Sequence, residues 1–464
     1  MNKRPILVLL TSSWISMLGA ALVTLAGFSW LFVLPMNIRG GSVSNPYIGL
    51  LIFIAIPIVF FAGLALIPIG IALAKHKVSK SLNEVEDRRI AWRRVGIFFG
   101  VMTVANVVIA SQLSYRAVEQ MDTVQFCGQT CHVMKPEFTA HAARPPHQAV
   151  ACAECHIAPG ATGWFKAKMN GTAQLVGVVL NNYPRPIESA IENNKLVSSA
   201  ETCEHCHARD EPFAPKLRVI PSFKDDEANT RSSTVLLMRI AAIHSAHMGT
   251  GVRIRYAAAD KQRQTIPWIE YTNSQAGISR TYAASTTTDS KLPTFEMQCV
   301  DCHNRASHAF ESPDRAVNQA MADSQIAPSL PFVKKESMEL LKASYANGDE
   351  ASEKIPAALS TFYLQKYPDA AAKQGTQIHA AGAALTAIYQ RNVFADLKVT
   401  WGTYSNNLGH TDFPGCFRCH DEAHLTPDKK TISQDCSLCH QPVAMDEAAP
   451  DILKTLQLTP AQSH

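Results

Sequence analysis

Twelve cysteines, in six close pairs that a histidine follows at once, are the residues of this chain most able to do chemistry. Five pairs have the spacing C-x-x-C-H, and the first pair, Cys127 and Cys131 before His132, has one more residue between its thiols. Two thioethers at this spacing can fix the edge of a haem, while the adjacent histidine reaches the iron. Zinc ribbons and disulfides also use paired cysteines, but neither explains the histidine. The sequence therefore predicts six c-type haems. In chain order the sites, numbered one to six below, are Cys127/Cys131/His132, Cys152/Cys155/His156, Cys203/Cys206/His207, Cys299/Cys302/His303, Cys416/Cys419/His420 and Cys436/Cys439/His440.

A six-coordinate haem iron needs a second axial ligand as well as the motif histidine. Setting aside the motif histidines, His76 and His464, nine histidines remain as candidates: His141, His147, His205, His244, His247, His308, His379, His410 and His424. We rank five of them highest: His141, His247, His308, His410 and His424. His244 competes with His247 because the two are three residues apart, and His379 lies on a predicted helix. His205 lies inside a motif, where reaching another iron is awkward.

Met134 follows His132 by two residues, which gives C-H-x-M. It could be a core methionine or a ligand, in place of His132, to the iron of site one. Thioether ligation would raise the potential of that haem above that of a bis-histidine haem, which suits a haem that receives electrons first.

Three uncharged apolar stretches, Ile6–Leu34, Tyr47–Ala74 and Val95–Leu113, are each long enough for a transmembrane helix. Basic residues flank them unevenly. Lys3 and Arg4 precede the first stretch, and seven more Lys or Arg lie between the second and third, whereas the loop after the first has one. Since basic loops stay in the cytoplasm, the N-terminus is predicted to be cytoplasmic and the region after Leu113 periplasmic.

The net charge of +4 comes from those basic loops. Residues 1–113 hold 10 Lys or Arg and 3 Asp or Glu, so residues 114–464 hold 33 and 36, a net charge of −3. The positive excess is thus a topology signal, and it does not indicate nucleic-acid binding.

The fold expected is a membrane domain of three transmembrane helices, 1–113, followed by a mainly helical and irregular region packed around haem. That region divides into 114–210 with sites one to three, 211–312 with site four, and 313–464 with sites five and six. Alternating apolar and polar residues predict a small β-meander over 250–286. Helical periodicity marks Asp314–Asp323, Val333–Tyr345, Ile355–Tyr367 and Ala370–Asp396, the first capped by Ser312 before a proline.

Residues 95–210 resemble the NapC/NirT/NrfH family of membrane-bound quinol dehydrogenases. The similar segments are Phe126-Cys127, Cys131-His-Val-Met134, Glu137-Phe138, His141, Val150-Ala-Cys152-Ala-Glu-Cys-His156, Trp164-Phe-Lys-Ala-Lys168, Tyr183-Pro-Arg-Pro186 and Cys203-Glu-His-Cys-His207. The resemblance implies that haem one lies at the membrane surface beside a quinol site. It also implies that Met134 ligates the iron of site one and that a lysine, Lys166 or Lys168, helps to hold quinol.

The chain departs from this family in having six sites and three predicted spans, where members typically have four haems and one span. Some relatives use an acidic residue after the lysine, but residues 161–187 contain no Asp or Glu, and Gln174 is the nearest polar substitute. Quinol oxidation needs a redox centre at the interface and a route for protons. Plain membrane anchoring by lysines that extend to the interface is the structural alternative for this segment.

The function expected is therefore quinol oxidation in the bacterial inner membrane, with electrons passing to a periplasmic cytochrome or reductase. The alternative is an electron-transfer subunit without its own quinol site, anchored among other membrane redox subunits. Substrate reduction at an open haem is less favoured because no C-x-x-C-K motif is present.

Overall fold

The computed structural model describes 13–38, 54–77, isolated positions between 104 and 120, 121–143 without Cys131, 146–208, 213–284 and 291–457. The chain forms two compact units, Met1–His132 and Val133–His464. Each unit is described below by itself.

The first unit holds two long apolar helices, α1 (Trp14–Ile38) and α2 (Ile56–Lys77). Among the described residues, Ile56–Leu73 is the one segment long and apolar enough to cross a membrane; its mean hydropathy is 2.5 and 17% of it is buried. The described part of the chain thus shows one such helix where the sequence predicted three spans. In α1, which overlaps the predicted span Ile6–Leu34, the apolar segment that meets the composition test is the shorter Trp14–Thr24. The third predicted span, Val95–Leu113, lies outside the described residues apart from isolated positions.

Small residues let α1 and α2 approach closely. A Cβ atom added at Gly19 would lie 2.7 Å from the carbonyl oxygen of Gly63, and one at Gly70 would lie 2.3 Å from Ser16 Oγ. The Ser16 hydroxyl donates to the Ile67 carbonyl at 3.3 Å. Close backbone packing with a polar bond across it is typical of helix pairs in an apolar medium.

The second unit begins with three helices around site two: α3 (Lys135–Ala142), α4 (Cys152–His156) and α5 (Gly160–Val179). Short helices or 3-10 turns carry the motifs, as at Cys203–His205, Gly415–Arg418 and Cys436–Leu438. Helix α6 (Ile240–Met248) lies between the two sheets in sequence, and α7 (Cys299–Cys302) carries site four. These elements are short because each has only to present two thiols and one imidazole.

Two antiparallel sheets lie among the motifs. The first has the order β1-β2-β7, formed by Lys216–Phe223, Arg231–Met238 and His440–Glu447. The second has the order β5-β4-β3-β6, formed by β3 (Val252–Ala257), β4 (Trp268–Asn273), β5 (Ile278–Ala283) and β6 (Thr294–Glu296). The consecutive pairing of β3, β4 and β5 confirms the predicted meander. The first sheet was not predicted, and its strand β7 begins at the motif histidine His440.

The helices after site four pack into a module around the largest core of the second unit. They are α8 (Pro313–Ala322), α9 (Val333–Lys342), α10 (Gly348–Lys366), α11 (Pro368–Lys373) and α12 (Gly375–Asn392). Their facing apolar residues, among them Ile355, Leu359 and Leu385, are fully buried. The predicted helices are confirmed, except that Ala370–Asp396 is divided at Gln374 and ends at Asn392. A last short helix, α13 (Asp451–Thr455), packs Leu453 against the first sheet.

Candidate haem-binding sites

The histidines that follow the thiol pairs of sites two to six each face a second histidine. The distances between ring centroids fall in a narrow range, 5.9 to 6.2 Å. In order of site, the pairs are His156 with His308, His207 with His147, His303 with His244, His420 with His247, and His440 with His410.

That separation is the one expected for two imidazoles on opposite sides of one metal ion. With metal–nitrogen bonds of about 2 Å in line, the ring centroids are about 6.3 Å apart. Direct stacking or edge contact would bring the centroids closer, as for His410 and Phe417 at 4.2 Å. The pairs therefore leave room for an iron between their rings.

Hydrogen bonds at the other ring nitrogen prepare several of these imidazoles for ligation. The Nδ1 atom of His247 lies 2.8 Å from the Ile243 carbonyl, and that of His420 lies 2.8 Å from the Ser433 carbonyl. His308 Nδ1 lies 3.0 Å from the carbonyl of Glu137. A backbone carbonyl at Nδ1 fixes the ring and leaves Nε2 free, which is the usual second shell of a ligating histidine.

Burial keeps several of the paired histidines neutral. Desolvation lowers the pKa of His156, which the nearby His308 lowers further, and it lowers the pKa of His303. Desolvation also lowers the pKa of His308 to about 4. Neutral imidazole is the form that binds a metal, so these groups need lose no proton to act as ligands near neutral pH.

Buried ring nitrogens without partners mark the other pairs. Nδ1 of His147, His244 and His440 is buried and makes no hydrogen bond. An unpaired buried polar atom is costly, so a native protein normally satisfies it or uses it. The donor set at sites two to six, thiols beside paired imidazoles, thus fits a covalently bound haem better than a structural zinc ion, since an imidazole pair spanning a gap does not build a tetrahedron.

A comparison with curated proteins gives one relevant relative. The chain is 34% identical over 452 residues to the cytochrome c-type protein ImcH of Geobacter sulfurreducens, which covers 92% of this chain and 87% of that protein. The chain belongs to the ImcH family of cytochrome c-type proteins. No protein-family profile matches the chain, and no solved structure matches it. Membership of the ImcH family supports the predicted multihaem c-type cytochrome, and it does not extend to the NapC/NirT/NrfH family in particular.

Of the distal candidates, four in this ImcH-family chain face a motif histidine: His247, His308, His410 and His244. His244 and His247 were competitors in the sequence, whereas the structure places each against a different motif. His147 also faces a motif histidine, although nothing in its spacing had distinguished it. Its position five residues before Cys152 carries no rule, because the motif that it faces is site three.

His424 has a different environment. Its ring is buried, with Nδ1 at 2.8 Å from the Asp421 carboxylate and Nε2 at 2.6 Å from the Ile266 carbonyl. Both ring nitrogens are occupied, so the geometry favours a structural role over ligation.

The remaining candidates are less alike. His141 is buried, bonds to Ser307 Oγ through Nδ1, and has a buried Nε2 without a partner; its ring centroid is 5.9 Å from that of His308. His379 and His205 are exposed. His141 stays a predicted ligand.

Site one lies partly outside the described residues, since Cys131 is among those not described. Cys127 lies on a π-helical turn, Phe126–Thr130, and Met134 directly precedes α3. The choice between Met134 and His132 stays a prediction.

The predicted quinol-site residues all lie on α5. Lys166 and Gln174 are exposed, and Lys168 Nζ lies 5.7 Å from the centre of the Trp164 ring. Because successive helical residues differ by about 100°, Lys166 and Lys168 point about 200° apart and cannot both face one small ligand. Gln174 lies nearer to the Lys166 face.

Proposed function

We propose that this chain carries electrons from the membrane quinol pool through six c-type haems to a periplasmic acceptor. The observation that carries the proposal is the set of five histidine pairs at 5.9 to 6.2 Å, each beside a thiol pair. Bound haem would supply one-electron chemistry at each site. Relationship to a cytochrome c-type protein supports electron transfer as the general role.

The chain's own residues set the properties of those haems. Paired imidazoles leave no open position for a substrate, so sites two to six suit electron transfer better than catalysis at iron. Carbonyl bonds at Nδ1 of His247, His420 and His308 raise ligand basicity and fix the rings. Fixed ligands reduce the rearrangement that accompanies a change of charge at the iron.

Helix α5 supports contact with a membrane surface. A stripe of apolar side chains along it is exposed: Phe165 (62%), Met169 (56%), Val176 (51%) and Val179 (68%). A helix with an exposed apolar stripe beside lysines is suited to lie in the interface between lipid and water. Quinol in the bilayer would then meet the face that carries Lys166 and Gln174, where Lys166 could hold a quinol oxygen and solvent could accept the protons.

The orientation of the chain follows from the same reasoning. The apolar segment Ile56–Leu73 would anchor the chain, and the basic loops would keep its N-terminal side in the cytoplasm. The haem motifs would then lie in the periplasm.

The test is reduction of the purified, haem-loaded full chain by a menaquinol analogue, followed by haem absorbance. We expect reduction without any partner protein, and a rate at least about tenfold lower in Lys166→Met. Lys195→Met, which changes an exposed lysine outside α5, is the control. If the wild-type chain reacts with dithionite and stays oxidised in menaquinol and ubiquinol analogues, the quinol site is wrong and the chain is an electron-transfer subunit of a larger complex.

A further inference from the structure

Helix α6 carries two of the paired histidines, and they face different sites. His244 faces His303 of site four, with ring centroids 6.2 Å apart and planes at 22°. His247 faces His420 of site five, with centroids 5.9 Å apart and planes at 55°. Residues three apart on a helix are neighbours on one face, with Cβ atoms about 5–6 Å apart. One short helix therefore approaches both sites.

Little else accounts for the composition of α6. Its sequence includes Ile240, Ala241, Ala242, Ile243 and Ala246, yet none of its residues is buried. An apolar helix of nine residues is not stable alone and needs a face to pack against. Two haem faces beside His244 and His247 would supply it.

Sites four and five are joined by a second set of contacts that does not involve α6. Arg418, inside motif five, donates to the carbonyl oxygen of Asp301, inside motif four, at 2.7 Å. The same guanidinium donates to the Arg263 carbonyl at 2.8 Å. Cys302 lies close enough to Cys416 and Cys419 for the thiols to affect one another's ionisation.

The other consecutive sites are joined in similar ways. The Cys155 thiol of site two is close to the thiols of Cys203 and Cys206 of site three. Cys203 in turn forms a hydrogen bond with Cys299 of site four. Each of these contacts joins a site to the next one in the sequence.

Sites five and six share the segment before motif five. His410 stacks on Phe417 inside motif five at 4.2 Å and faces His440 of site six. The Cys416 amide donates to the Gly409 carbonyl at 3.0 Å, which holds this segment against the motif. Gly415 has φ +52°, and a Cβ there would lie 1.7 Å from the Gly409 carbonyl oxygen, so the approach requires glycine. In the same way His147, just before motif two, faces His207 of site three.

We propose that α6 supplies one axial ligand to each of two neighbouring irons, His244 at site four and His247 at site five, within a single file of sites two to six in sequence order. This inference rests on the proposed haem binding and not on the quinol site. It assigns the distal ligands that spacing alone left open. It also makes α6 a rigid spacer, because ligands three residues apart fix the two irons relative to each other.

The test uses His244→Ala, His247→Ala and the double variant in the haem-loaded full chain, with His379→Ala on the exposed face of α12 as control. Haem content is measured as the pyridine haemochrome, and spin state by electron paramagnetic resonance of the oxidised protein. We expect unchanged haem content, loss of one low-spin haem in each single variant and of two in the double variant, and no change in the control. Because alanine could prevent folding, His244→Met and His247→Met form a second series; each should raise the potential of one haem and produce one His–Met charge-transfer band.

Several outcomes would overturn the inference. A single variant that loses two low-spin haems, or a double variant that loses only one, would place both histidines at one site or neither at an iron. An electron cryo-microscopy map of the loaded chain tests the order, and consecutive sites that are not nearest neighbours would refute the single file. A wild-type chain without thioether-bound haem would instead refute the proposed function, and a haem-loaded chain inert to quinol would leave the ligand assignment intact.

Discussion

The haem-motif segments and the helical module of residues 313–393 are built in opposite ways. In the module, Val333, Ile355, Leu359, Leu385 and Ile388 have no exposed surface. The motif elements Cys152–His156, Cys203–His205 and Cys436–Leu438 bury none of their residues, and neither does α6. Both regions belong to one unit and have similar chain lengths, so size does not explain the contrast.

The contrast shows where each region obtains its stability. Apolar side chains that leave water supply about 25 cal/mol per Å² of buried surface, and the module has enough of them to form a core of its own. The motif segments place thiols and imidazoles where a core would be. Their stability is then expected to come from the cofactor that those groups bind, as binding free energy becomes folding free energy in small metal-dependent domains.

Production of the chain without haem attachment should separate the two regions most strongly. In a host without the haem-attachment machinery, we expect the motif segments to lose protection from amide exchange by at least about a hundredfold, since losing about 2.8 kcal/mol of local stability is enough. The module should keep slow amides in α10 and α12. Hydrogen–deuterium exchange with peptide resolution measures both. Equal loss of protection in the module would show that its core depends on the haem-binding segments.

A cavity in the module should be the next largest effect. Leu359 is fully buried on α10, and Leu359→Ala should lower the free energy of unfolding by about 2–5 kcal/mol, because the lost methyl groups leave a void. Denaturant titration followed by circular dichroism measures this, and the haem spectrum should not change.

Leu364→Ala is the matched control for that variant. Leu364 lies on the same helix and is 66% exposed, so its removal should alter stability by less than about 0.5 kcal/mol. If the two variants were equally destabilised, the module would not be held by its side-chain core.

The sequence predicted the module well and the haem surroundings only in part, for the same physical reason. A side-chain core leaves a period of 3.6 residues in the sequence, so the helices after Ser312 were found within a few residues of their observed ends. The break at Gln374 was missed because apolar periodicity continues on both sides of it. The meander over β3, β4 and β5 was found because alternation is equally local.

Axial pairing leaves no such trace. The motif histidine and its partner are brought together by the fold across up to 173 residues, as for His247 and His420. His147 was passed over and His424 ranked too highly because a histidine's sequence position says nothing of its ring nitrogens. Only the structure shows that both nitrogens of His424 are bonded, whereas those of the paired histidines keep one free.

Replacement of His424 should therefore destabilise the motif region without altering any haem. His424→Ala leaves the Ile266 carbonyl without its partner at 2.6 Å, and we expect a loss of about 1–3 kcal/mol in the free energy of unfolding. The low-spin electron paramagnetic resonance signals should stay as in the wild-type chain, in contrast to those of His247→Ala. Loss of one low-spin haem in His424→Ala would make this histidine a ligand and would break the distinction drawn from its hydrogen bonds.

The smallest effect should come from the boundary between the two regions, where α8 begins. The Ser312 hydroxyl accepts from the Arg315 amide at 3.4 Å, and Pro313 occupies the first helical position. Ser312→Ala should cost about 1 kcal/mol, because one amide at the helix N-terminus loses its partner. Ser312→Asn keeps an acceptor at the same position and should restore most of this stability.

The Ser312 variants also test how far the two regions depend on each other. If each is held by its own means, the loss in Ser312→Ala should appear as lower stability of the module, measured by exchange in α8, while the reduction potentials of the haems stay unchanged. A shift of those potentials in Ser312→Ala, absent in Ser312→Asn, would show that the start of α8 also positions a haem. The nearby hydrogen bond from Ser312 to Asp412, at 3.3 Å, is the contact through which such coupling to the His410 segment would pass.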